Sequence, residues 1–299
     1  MIEDQILDET LGLIDENGTE NAYNYLLTKL DLLENRSSQV YNFLYCLAAT
    51  SGKREEALNW LEEAILNNGI WYRPEVFEDE DLDSIREDER FIHCEVISKQ
   101  RYEKEIEVSK TSFTLEEVDK DNLLIVLHGN QQNNIISKAY WSNLVLEQYQ
   151  VEYLQSEEID SYQLYRWEED GTGPNQIEET VKTIENNYET IVLAGFSAGC
   201  NAILRAILEK NIVCHKVILN SPWIPIIEEE SDRIIRKLKT RNVEVLVICG
   251  KDDSDCYPQC LKFDEVAQDN KYDYIKVYES EVGHEYSKDL IKIVSRFLG

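Results

Sequence analysis

The sequence predicts an α/β architecture, a doubly wound and mostly parallel sheet, preceded by an all-helical domain of repeat type. Two observations carry this. Up to about residue 104 the apolar residues recur at helical spacing, whereas from about Lys104 onward short Val-, Ile- and Leu-rich runs alternate with helical segments. Continuous apolar strands separated by helices are what a parallel sheet covered on both faces requires. A third observation bounds the answer: 299 residues with 42% apolar content suffice for one large domain or for two that each bury a core. The expected domains are 1–104 and 105–299, and no long flexible linker separates them.

In the first part, helical segments are expected near 5–14, 20–34, 37–50 and 53–67, broken at Asn17-Gly18-Thr19 and Ser51-Gly52-Lys53. Tyr41 to Asn68 resembles a tetratricopeptide repeat, with Ala48 on its first helix and Ala57, Leu61 and Ala64 at the small-large-small positions of its second. Tyr45 stands where that family usually has glycine, and Gly69 where it often has proline. The segment around Ala22, Leu26 and Leu30 is a weaker echo, and Leu82 and Phe91 resemble the residues that close such arrays. One clear helical pair is too few for a long peptide-binding superhelix. Packing is therefore the expected role, with a protein or peptide partner as the alternative.

In the second part, strands are expected at Leu123–Leu127, Val151–Leu154, Thr190–Leu193, Lys216–Leu219, Val243–Cys249 and Tyr274–Tyr278, with Glu105–Val108 as a further edge strand. The most specific motif follows the third of these. Gly195-Phe196-Ser197-Ala198-Gly199 stands between a strand and the helical run Cys200–Lys210, which is the strand–turn–helix setting that a G-x-S-x-G nucleophile elbow demands. Residues two before and two after the serine must be small, so that strand and helix can approach.

This motif and three others in fixed order resemble the α/β-hydrolase family over about residues 105–299, closest to the small carboxylesterase and dienelactone-hydrolase-like members. His128-Gly129-Asn130-Gln131 after the first strong strand resembles the oxyanion loop. Gly250-Lys251-Asp252-Asp253 resembles the acid loop, and Gly283-His284 the histidine loop before a last helix at Lys288–Phe297. The resemblance implies Ser197, Asp253 and His284 as nucleophile, acid and base. It implies an oxyanion hole from the backbone N–H of Asn130 or Gln131 together with that of Ala198. His128 is then structural. Matching Gly250 to the glycine of a G-x-x-D pattern selects Asp253 over the neighbouring Asp252. Tyr165, Trp167, Phe196 and Trp223 are candidates to wall an acyl pocket, with packing favoured for Phe196. Only Ser221–Asn242 lies between the sixth and seventh strands of that fold, so any lid is one short helix.

The implied activity is hydrolysis of a carboxylic ester or thioester through an acyl-serine, with no metal and no cofactor. The alternatives are an acyltransferase with the same three residues, or an inactive adaptor that uses its helical repeats. The formal charge of -29, from 59 acidic and 30 basic residues, argues against binding nucleic acid or anionic lipid, since both need a cationic surface. The start Met1-Ile2-Glu3-Asp4 lacks the basic and apolar regions of a secretory signal, no apolar run is long enough to cross a bilayer, and the seven scattered cysteines suit a reducing compartment. A cytoplasmic protein is expected. Cys256 and Cys260, the closest cysteine pair, are expected in a loop with no histidine nearby, and hence as packing residues rather than a redox couple.

Overall fold

The structure, a computed structural model, describes residues 2–33, 35–108, 120–142, 144, 147–168, 171–185 and 187–299. The chain divides into two compact units, Met1–Ser109 with Ile159–Leu164, and Lys110–Glu158 with Tyr165–Gly299. Among the described residues no helix is long and apolar enough to cross a membrane.

The first unit is helical: α1 Ile2–Asn17, α2 Thr19–Lys29, α3 Ser38–Thr50, α4 Arg54–Glu62 and α5 Glu89–Val108. Gly18 and Gly52 sit at the breaks with φ of 82° and 74°, a backbone region that glycine enters without steric cost. The Ser37 side chain caps α3 by accepting from the Val40 N–H at 3.2 Å. Ala22, Leu26, Leu44, Ala48, Ala57, Leu61 and Ala64 are buried in one core together with Leu82 and Phe91. Tyr45 is buried too. Its ring meets Tyr72 edge-on at 5.8 Å, and its hydroxyl accepts from Asn42 Nδ2 at 2.6 Å. The expected edge strand Glu105–Val108 is overturned, because these residues continue α5. Their Glu and Lys neighbours favour a helix that already runs from residue 89. Residues 159–164 complete this unit through backbone pairing: the Tyr162 N–H donates to Trp71 O at 2.9 Å and the Arg73 N–H to Asp160 O at 3.3 Å.

The second unit is built on a six-stranded sheet of β1 Asn122–Leu127, β2 Tyr149–Leu154, β5 Thr190–Phe196, β6 Lys216–Asn220, β7 Glu244–Gly250 and β8 Ile275–Glu279. A short hairpin, β3 Glu158–Ser161 and β4 Leu164–Arg166, was not legible in the sequence. The six strands are all parallel, in the order β2-β1-β5-β6-β7-β8. Their side chains alternate between two cores. Leu123, Ile125, Leu127, Ile191, Leu193, Val217 and Leu219 meet α7 Gly173–Ile184, α8 Ala198–Glu209, α9 Ile226–Thr240 and α10 Cys256–Asp269. Leu124, Val126, Val192, Ala194, Ile218 and Leu246 meet α6 Asn134–Trp141 and α11 Leu290–Leu298. The helix between β6 and β7 is no lid, since α9 buries Ile227, Ile234, Ile235 and Leu238 against the sheet. The chain leaves β1 toward β2 and then returns to the other side of β1 as β5. The loops after β1 and β5 therefore part at a topological switch point, where open α/β sheets place their ligands.

Candidate active site

Ser197 stands between β5 and α8 with φ 49° and ψ −122°, the strained geometry expected of an elbow. Its N–H donates to Asn220 O at the end of β6, 3.1 Å away. The flanking glycines are sterically required. A Cβ on Gly195 would stand 2.7 Å from the Cys200 nitrogen, and one on Gly199 2.5 Å from His128 O.

Two loops bring the remaining groups to this serine. After β7 the chain turns into α10, and Asp253 caps that turn by accepting from the Cys256 N–H at 2.9 Å. After β8 the histidine loop closes over it: the Asp252 N–H donates to Val282 O at 3.0 Å, and Ser221 Oγ donates to Glu285 O at 2.7 Å. A side chain on Gly250 would collide with the Val282 and Gly283 carbonyls. The result is a continuous chain: His284 Nε2 lies 3.0 Å from Ser197 Oγ, and His284 Nδ1 lies 2.8 Å from Asp253 Oδ2. Asp253 is 3% exposed, while its neighbour Asp252 is solvent-exposed. Burial works to raise the Asp253 pKa, but the hydrogen bonds from His284 and the Cys256 amide prevail and hold it below the ordinary carboxylate range.

The loop after β1 rests on His128. This imidazole is fully buried, and its Nδ1–H is placed to donate to Gly129 O at 2.6 Å. Its Nε2 accepts from the Ser156 N–H at 3.1 Å and from Gln155 Nε2 at 2.9 Å. Burial lowers its pKa to about 4, so it is neutral at ordinary pH. Asn130 and Gln131 are exposed at the turn, and Gln131 has φ 54°. The Asn130 side chain accepts from the Trp167 N–H at 2.7 Å through its Oδ1, which anchors the turn. Ala198 opens α8, so its N–H is one that a helix leaves without an intrahelical acceptor.

Two of the four aromatic candidates are support rather than pocket wall. Trp167 is 1% exposed and donates its indole N–H to His128 O at 2.8 Å. Phe196 is buried on the α6/α11 side, stacked on Tyr286 at 3.9 Å, which in turn stacks on Tyr140 at 4.0 Å. Tyr165 and Trp223 remain partly exposed. Two residues were missed. Gln132 accepts from the Gly129 N–H at 3.1 Å and from the Tyr286 hydroxyl at 3.4 Å, pinning the loop. Cys256 lies on a helix and not in a loop, and its Sγ is 3.4 Å from His284 Nδ1, so the expectation of no histidine nearby is overturned. The D-x-x-C spacing of an N-terminal cap was the available signal for it.

Residues 2–106 match the family described as A/B hydrolase-like, N-terminal domain. No curated protein matches the chain. Among solved structures, an uncharacterized protein from Bacillus cereus is 28% identical over 98% of this chain and 97% of its own, with a TM-score of 0.57. An acyl-protein thioesterase 2 from Zea mays is 13% identical over 62% of this chain and 95% of its own, at a TM-score of 0.49. A carboxylesterase from Mesorhizobium loti is 15% identical over 60% and 89%, at 0.46. The second unit thus has the parallel sheet with helices on both faces of the α/β-hydrolase fold class, preceded by the helical region that the family model matches.

Proposed function

We propose that the protein hydrolyses a carboxylic ester or thioester through an acyl-serine intermediate at Ser197. The observation that carries this reading is the chain of hydrogen bonds Ser197–His284–Asp253, with links of 3.0 and 2.8 Å, on a serine held at positive φ. A hydroxyl becomes a competent nucleophile when a neighbouring base takes its proton. His284 Nε2 accepts that proton as Ser197 Oγ attacks the carbonyl carbon, and Asp253 steadies the imidazolium and fixes Nδ1 as the protonated nitrogen. The negative charge on the tetrahedral oxygen is met by the Ala198 N–H and that of Asn130 or Gln131. The intermediate collapses as His284 hands its proton to the departing alcohol or thiol. Water, deprotonated by the same imidazole, then releases the acid and restores Ser197.

The full chain incubated with a fluorophosphonate probe should be labelled on the peptide that contains Ser197, and it should turn over short-chain p-nitrophenyl esters. Labelling that persists in Ser197→Ala would refute the reading. Slow turnover of such esters is compatible with it, because binding energy from a larger natural substrate is missing.

A further inference from the structure

Asp253, Cys256 and His284 present three different metal-ligating atoms to one another. His284 Nδ1 is 2.8 Å from Asp253 Oδ2 and 3.4 Å from Cys256 Sγ, and the three donor atoms all lie within 4.8 Å of one another. A tetrahedral zinc ion, with Zn–N and Zn–O near 2.0–2.1 Å and Zn–S near 2.3 Å, separates its donors by about 3.3–3.6 Å. Two of the three separations fall within about half an ångström of that range, and the third, between Asp253 and Cys256, is no more than 4.8 Å. Asp253 and Cys256 are held at the start of α10 by the Cys256 N–H bond to Asp253 Oδ1. The third ligand is the movable one, because the His284 side chain is 43% exposed and supplies the route of entry.

We propose that Asp253, Cys256 and His284 form an inhibitory site for a thiophilic divalent cation of the zinc type, with water as the fourth ligand. The inhibition rests on the function proposed above; the binding does not. Without an ion the His284 imidazole bonds Asp253 Oδ2 at 2.8 Å, the shorter of its two contacts at Nδ1. When the ion binds, Cys256 releases one proton to solvent and becomes the thiolate ligand. The ion takes the lone pair of His284 Nδ1, and the neutral imidazole carries its proton on Nε2 instead. That nitrogen then donates toward Ser197 Oγ and can no longer accept its proton. Asp253 is drawn from the histidine to the ion by the same event. Base and acid are lost together without blocking the serine itself.

The test uses the full chain freed of metal with a chelator and titrated with Zn²⁺, and separately with Co²⁺ as a spectroscopic probe. One equivalent should bind, cobalt should give a thiolate-to-metal charge-transfer band, and zinc should bring ester hydrolysis down to the level of Ser197→Ala, reversibly with chelator. Cys256→Ser, compared with its own metal-free rate, should lose the band and bind zinc more than about 100-fold more weakly, since losing a group that merely supports a ligand already costs about 10–100-fold. Ser197→Ala should keep the band, so a protein without esterase activity still tests the site. X-ray absorption at the zinc edge on the unaltered protein needs no variant and should show one sulfur among four light neighbours or fewer. Absence of binding, a cobalt band that survives in folded Cys256→Ser, or two or more sulfur neighbours would overturn the proposal. The last result would move the ion into the thiols of Cys249, Cys260 and Cys200 that surround Cys256.

Discussion

His128 directly follows β1 and His284 lies in the loop after β8, each beside a glycine, yet the fold gives them opposite surroundings. His128 is enclosed, with both ring nitrogens engaged by Gly129, Gln155 and Ser156, and burial holds it neutral. His284 keeps one face open and spends its nitrogens on Asp253 and Ser197. An imidazole with every position satisfied is a fixed strut. One that bonds a hydroxyl on one side and a buried carboxylate on the other can move a proton.

The contrast predicts variants with crossed effects. His284→Ala should cut kcat on an ester substrate by up to about 10⁶, the scale on which loss of a base in such a triad acts. His128→Ala should instead cost about 2–4 kcal/mol of unfolding free energy in urea, because the Ser156 amide and Gln155 lose a buried acceptor. The comparison breaks if His128→Ala, at a temperature where it is still folded, loses as much kcat as His284→Ala.

Asp253→Asn follows, with a loss of up to about 10⁴ in kcat, since a neutral amide favours the wrong imidazole tautomer. Rates in both variants should be measured on one substrate, with circular dichroism to confirm folding.

A pH titration of stability sharpens the same contrast. The folded pKa of His128 is about 4 against an ordinary value of 6.5, so between these values the unfolded chain binds the extra proton. The stability contributed by this residue is therefore full above pH 6.5 and drains as pH falls toward 4, by about 3 kcal/mol in all. Urea unfolding at pH 7 and pH 4.5 should show a shallower loss in His128→Gln than in the unaltered protein. The smallest expected effect belongs to Asp252→Asn. Its carboxylate is exposed, and kcat should stay within about twofold of the original.

How much of this was legible follows from how local each signal is. The six main strands announce themselves as apolar runs, and their ends moved by only one to three residues. The hairpin of β3 and β4 did not, because Glu158-Ile159-Asp160-Ser161 is short and largely polar and owes its form to pairing. Ser197, Asp253 and His284, which come within hydrogen-bonding reach of one another, could be picked out as candidates because each lies in its own short motif after a strand. Gln132 and Tyr286 were not, since what they do depends on meeting each other across 154 positions. Cys256 escaped for another reason: cysteines were read for partners of their own kind, whereas its neighbours are a carboxylate and an imidazole.

The helical unit is discontinuous in sequence, and this bears on how the chain is born. Residues 1–109 leave the ribosome first, but Ile159–Leu164 arrive some fifty positions later, with the Tyr162 amide for Trp71 and the Asp160 carboxylate for Arg73. Until then the Trp71 carbonyl and the Arg73 amide await their partners, so the part made first is among the last to be finished. A nascent chain stalled before residue 159 should therefore expose this edge to protease, and one stalled well past residue 164 should not.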